Sequence, residues 1–145
     1  MPSQSFQSAA RAAVPVDEAW AALQHPTVWE GVAGVDHVTD AEHDREGNMV
    51  AFAFAAVVGG MRYPGTSQVT HRRPPAHMRL ELDTSELVAT IDVALAPAEA
   101  QTDLRFELTV RTKSLLAGMF FPAIADSIGR GFPQAADDLA TRLSG

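Results

Sequence analysis

Few side chains in this 145-residue chain are equipped for chemistry. Cysteine is absent, which excludes a thiol nucleophile, a thiolate metal site and a disulfide framework. The histidines, at 25, 37, 43, 71 and 77, form no pair four residues apart and no His-Glu-x-x-His pattern, so no metal site and no cofactor is expected. His25 ends a helical stretch, where a cation suits the dipole. His37, His43 and His77 fall in polar or outward positions. His71 differs: counted in twos along Met61–Arg73, it shares a face with Met61, Tyr63, Ser67 and Val69. An imidazole, a phenol and a hydroxyl on one wall could orient a ligand or serve acid/base work, which makes Tyr63 and His71 the candidate catalytic pair. A register shift at Pro64-Gly65 would turn His71 outward instead.

These residues need a framework, and the longest element available is C-terminal. From Leu115 to Leu143, apolar residues recur at Leu116, Phe120, Ile124, Ile128, Phe132, Ala135, Leu139 and Leu143, steps of three or four that fill one helix face. Pro122 and Pro133, with Gly118, Gly129 and Gly131, predict a kink or a short lead-in. Upstream the period is two. Ser3 to Val14 predicts a strand. Val16-Asp17-Glu18 opens a helix carrying Ala19, Trp20 and Leu23, which His25-Pro26 stops. Thr27 can cap a second short helix with Val28, Trp29 and Val32, ended by Gly31 and Gly34.

Strands follow with short turns. Asp36–Arg45 is polar, as an edge strand would be. Met49–Val58 is apolar on both parities, with Val50, Phe52, Phe54, Ala56 and Val58 on one and Met49, Ala51, Ala53, Ala55 and Val57 on the other. Both of its faces should therefore be covered, by the short helices or by a second copy of the chain. Gly59-Gly60 marks a hairpin and has no phosphate-loop context. Later inner rows are Met78, Leu80 and Leu82, then Leu87 to Leu95, then Leu104 to Val110; Asp92 and Glu107 lie opposite them. No repeat or linker interrupts the order, so residues 1–145 are read as one α+β domain, an antiparallel meander wrapped around the terminal helix.

Net charge is −7, and Lys113 is the only lysine. A surface for nucleic acid or an anionic membrane needs clustered positive charge, and only His71-Arg72-Arg73 supplies any. No apolar run reaches the roughly 18 residues of a membrane span and no signal-peptide pattern opens the chain, so no membrane insertion and a cytoplasmic location are expected.

The stretch Val14-Pro15-Val16-Asp17-Glu18-Ala19-Trp20, with Leu23, His25-Pro26 and Trp29 after it, resembles the entry pattern of the START-like, Bet v 1-type helix-grip (SRPBCC) superfamily, which includes polyketide cyclase/dehydrase-like proteins. The element order matches that fold along the whole chain. The resemblance implies a cavity between the curved sheet and the terminal helix that holds a lipid- or polyketide-like molecule. Its lining would be Trp29, Phe52, Phe54, Met61, Tyr63, Ser67, Met78, Leu80, Leu87, Ile91, Phe106, Met119, Phe120 and Ile124. Methionine suits such a wall because it fills irregular space. The inner rows are almost wholly apolar, which favours binding or carriage of a hydrophobic or amphipathic small molecule. The alternatives are a cyclase or dehydratase using Tyr63 and His71, and a homodimeric interaction module with a filled core.

Overall fold

The computed structural model describes residues 3–58, 60–113, 119 and 121–145, with only the backbone of Ala33, Val58 and Ile124. The chain runs through a first strand, β1 (Ser3–Ala12), a helix, α1 (Val16–Leu23), and two 3₁₀-helical turns at Pro26–Trp29 and Val32–Gly34. Six strands follow: β2 (Val35–His43), β3 (Met49–Val58), β4 (Met61–Arg73), β5 (His77–Thr84), β6 (Leu87–Ala98) and β7 (Gln101–Thr112). The terminal helix, α2, spans Phe121–Leu143. All seven strands form one antiparallel sheet in the order β1-β7-β6-β5-β4-β3-β2. β1 pairs with β7 without a shift, from Ser3 opposite Arg111 to Ala12 opposite Thr102.

The short elements follow local chemistry. Pro15 precedes α1, and Asp17 and Glu18 occupy its first turn, where a negative charge meets the free N–H groups. The next turn begins at Pro26 with His25 before it, so proline rather than a Thr27 cap sets its start. Gly31, at φ 90°, makes the left-handed link to the second turn.

The inner rows and the helix stripe meet as one core, with Met78, Leu80, Ile91, Val93, Leu104, Phe106 and Leu108 facing Phe132, Ala136, Leu139 and Leu143. Pro133 lies inside α2. An interior proline costs roughly 3 kcal/mol, while burying a Leu or Phe side chain contributes about 2 kcal/mol. Phe132, Leu139 and Leu143 together outweigh the defect, so packing rather than helix propensity holds α2. The helix lies along β1. A Cβ on Gly129 would sit 2.4 Å from the Phe6 ring, and the Ala13 N–H donates to Ser144 Oγ at 2.8 Å. Arg142 Nη1 donates to the Val28 carbonyl at 3.0 Å and also to the Glu30 carbonyl, tying the other flank of α2 to the first turn.

Two register shifts re-aim side chains. Opposite β2, Glu42 pairs with Ala51 but His43 pairs with Met49, leaving Val50 as an extra residue. Met49 is therefore buried and Val50 exposed, the reverse of strict alternation along β3. In β4, Val69 pairs with Leu80 and His71 with Arg79, so Thr70 is the extra residue. Pro64 and Gly65 keep regular pairing with Ala55 and Phe54. A Cβ on Gly65 would lie 2.5 Å from the Phe54 ring, so glycine there lets the ring lie against β4.

The second face of β3 also differs from expectation. Ala53 and Ala55 border an open groove of about 860 Å³ shared with Thr39, Arg62, Thr66 and Lys113, and the short helices do not close it.

Candidate ligand-binding site

Between the sheet and α2, Phe54, Ala56, Leu82, Thr84, Leu87, Ala89, Val110 and Ile128 line an interior cleft of about 30 Å³. That is room for about one water molecule. The Phe54 ring lies on one side of it, with the Phe52 ring behind, 6.2 Å away and edge to face. Leu80, Leu87, Ile91, Met78 and Phe106 are buried in the surrounding core.

One polar atom stands out beside this apolar cleft, on the strand next to its lining residue Leu82. Ser67 is 0 % exposed, lies between Phe52 on β3 and Leu82 on β5, and its hydroxyl has no hydrogen-bond partner among the described residues. A buried hydroxyl without a partner costs about 1–3 kcal/mol. Tyr63, on β4 with Ser67 and opposite Ala56 of β3, is half-buried and packs against the core.

The remaining candidates separate. His71 is exposed, because the extra residue at Thr70 flips the parity of β4 before it. Its ring lies 4.9 Å from that of His77, and His77 Nε2 is 3.0 Å from Asp92 Oδ1. Tyr63 and His71 thus stand on opposite faces of the sheet, and the acid/base pair inferred from alternation does not assemble. Met61, beside the β3–β4 turn, is 59 % exposed and Met119 is 75 % exposed, so neither lines the interior. Trp29 is 1 % exposed and its indole N–H donates to the Leu23 carbonyl at 3.1 Å, which makes it core. Phe120 and the side chain of Ile124 lie outside the described residues, as do Gly59, Leu116 and Gly118.

The same shift carries Arg72 inward, opposite Met78. Its Nη1 donates to Asp44 Oδ2 at 3.1 Å and its Nη2 to the Met49 carbonyl at 3.1 Å, while its buried Nε has no partner among the described residues. Gln24, also buried, accepts from the Met49 N–H at 3.0 Å through Oε1 and donates to the Trp20 carbonyl at 3.1 Å. Its own carbonyl meets His43 Nε2 at 2.8 Å. These groups close the bulged end of the sheet. The Asp44 carboxyl is held below its ordinary range, chiefly by the Asn48 backbone N–H and further by the Asn48 amide, Arg72 and the Glu46 N–H, against the opposing effect of desolvation.

No protein-family model and no curated protein matches the sequence. Solved structures do match. A protein from Thermus thermophilus superposes with a TM-score of 0.75 at 9% identity, over 97% of both chains. The Zhui aromatase/cyclase from Streptomyces sp. R1128 gives 0.67 at 13% identity, over 93% of this chain and 92% of its own. A START superfamily protein from Mycobacterium smegmatis gives 0.63 at 11% identity, over 87% of this chain and 94% of its own. The chain has the START-like, Bet v 1-type helix-grip fold: a curved seven-stranded antiparallel sheet with a long C-terminal helix.

Proposed function

We propose that the chain binds a hydrophobic or amphipathic small molecule, lipid- or polyketide-like and bearing a hydrogen-bonding oxygen, between the sheet and α2. The observation that carries this reading is Ser67: a hydroxyl fully buried between Phe52 and Leu82, beside the apolar cleft, with no partner among the described residues. A carbonyl or hydroxyl on a ligand would supply what it lacks. The apolar lining of Phe54, Leu82, Leu87 and Val110 suits the rest of such a molecule. The described cleft is far below the 300 Å³ or more of ordinary ligand sites, so binding requires α2 or its side chains to move outward. The candidate contacts are Ser67, Tyr63, Phe52, Phe54, Leu80, Leu87, Ile91, Phe106 and Met78.

A cyclase or dehydratase has less to work with. The matching aromatase/cyclase shares the fold, but the Tyr63–His71 pair is split by the sheet, and Tyr63 would have to act without that imidazole. Native mass spectrometry of gently purified protein tests the binding reading. The expected result is a noncovalent lipophilic adduct, one per chain, that solvent extraction removes and added lipid extract restores. A folded protein that neither carries nor takes up any such species would contradict it.

A further inference from the structure

Ile128 lines two spaces at once. Inward it borders the 30 Å³ cleft with Phe54, Leu82 and Leu87. Outward it borders a second pit, of about 190 Å³, with Gly31, Gly34, Val57, Ser127, Gly131 and Phe132. A half-buried isoleucine is thus shared by the interior and a surface hollow. The rim around it includes small residues: Gly31 precedes the second 3₁₀ turn and Gly34 ends it, and a Cβ on Gly131 would meet nothing described within 4 Å.

The helix is weakest immediately behind Ile128. Gly129 and Gly131 follow it, and Pro133 cannot donate to the carbonyl four residues back, which is that of Gly129. Gly129 is itself pinned against Phe6, so displacement on its N-terminal side can occur while Phe132, Leu139 and Leu143 stay buried. From Phe121 to Ile128 the helix lies upstream of that weak point.

We infer that the ligand enters through the pit between α2, the second 3₁₀ turn and the end of β3, and that Ile128 is the gate. Swinging Ile128 aside, with the first turns of α2 bending at Gly129–Gly131, joins the outer pit to the inner cleft and so to Leu82, the neighbour of Ser67 across the sheet. This inference rests on the binding reading above and adds the route and the controlling residue. It also sets the substrate class: narrow apolar chains or flat rings that pass a glycine-lined opening, rather than globular molecules.

The absence of cysteine makes a test direct, since a single introduced thiol can be labelled alone. Association of anilinonaphthalene sulfonate is followed by stopped-flow fluorescence. Ile128→Ala should raise the association rate by about tenfold and speed dissociation as well, as expected for a lowered gate. Gly131→Ala, which stiffens the helix without meeting a neighbour, should slow both rates. Val57→Cys carrying a bulky maleimide should slow entry further, while the same label on Val50→Cys, on the exposed bulge at the other end of β3, should leave it unchanged. Rates indifferent to Ile128, Gly131 and the Val57 label, in a protein that still binds the probe, would overturn the portal and spare the binding reading. Failure of the folded wild type to take up the probe at all would overturn both.

Discussion

Replacing Ser67 with alanine removes a buried hydroxyl that has no partner among the described residues, and the effects on stability and on binding should be opposite. The empty protein should gain about 1 kcal/mol, read as a raised Tm, because the desolvation penalty disappears. Affinity for naphthol should fall roughly fivefold, about 1 kcal/mol, while affinity for naphthalene, which lacks the oxygen, should not change. Equal losses for both ligands, or a destabilised variant, would remove Ser67 from the site. His71→Ala should leave both affinities untouched, since that ring lies on the outer face beside His77. Alternation along β4 is legible in the sequence, and it sets Tyr63 and Ser67 on a common face. The bulge at Thr70 is not, because an ordinary threonine carries no glycine or proline signal, and strict alternation places everything after it one parity out. For the same reason alternation does not reveal Arg72 as an inward group. Gln24 is equally hidden, because nothing in its type distinguishes a buried amide that satisfies a bulged N–H from a solvated helix end.

At the scale of elements, the two glycines of α2 should respond in opposite ways to alanine. Gly131 faces open space, so Gly131→Ala should stabilise by about 0.5–1 kcal/mol through helix propensity. At Gly129 the new methyl would lie 2.4 Å from the Phe6 ring. Overpacking of that kind costs about 1–3 kcal/mol, so Gly129→Ala should lower Tm unless Phe6 is also trimmed, and Phe6→Ala should relieve the clash. The helix stripe is plain from its three-and-four spacing, whereas which glycine serves close packing and which does not depends on β1, over a hundred residues away. The β2–β3 turn offers a pH test. Asp44 has a depressed folded-state pKa, so its contribution to stability is complete above the ordinary carboxylate value, roughly 3.9, and is lost as pH falls through the folded value. Wild type should therefore exceed Asp44→Ala in Tm by a constant margin down to about pH 4, and the margin should shrink below it. A margin independent of pH would mean that the turn is held by other groups.

Across the whole molecule, the inner rows, the strand order after α1 and the terminal helix are readable because periods of two and of three to four survive without tertiary information. The cover for the alanine side of β3 is not, since a doubly apolar strand specifies a need but no partner. That side borders an open groove with room for larger side chains. Ala53→Glu should accordingly fold normally, within about 0.5 kcal/mol of wild type, and both proteins should sediment as monomers. A dimeric wild type that the substitution dissociates would favour the interaction-module alternative.

The central claim is that a small apolar molecule occupies the space between sheet and α2, and equilibrium titration with anilinonaphthalene sulfonate addresses it most directly. Saturable binding at one probe per chain is expected, displaced by naphthol and abolished on unfolding, together with protection of α2 and β4 amides from hydrogen exchange. Binding that never saturates, or that leaves those amides unprotected while the protein stays folded, would contradict it.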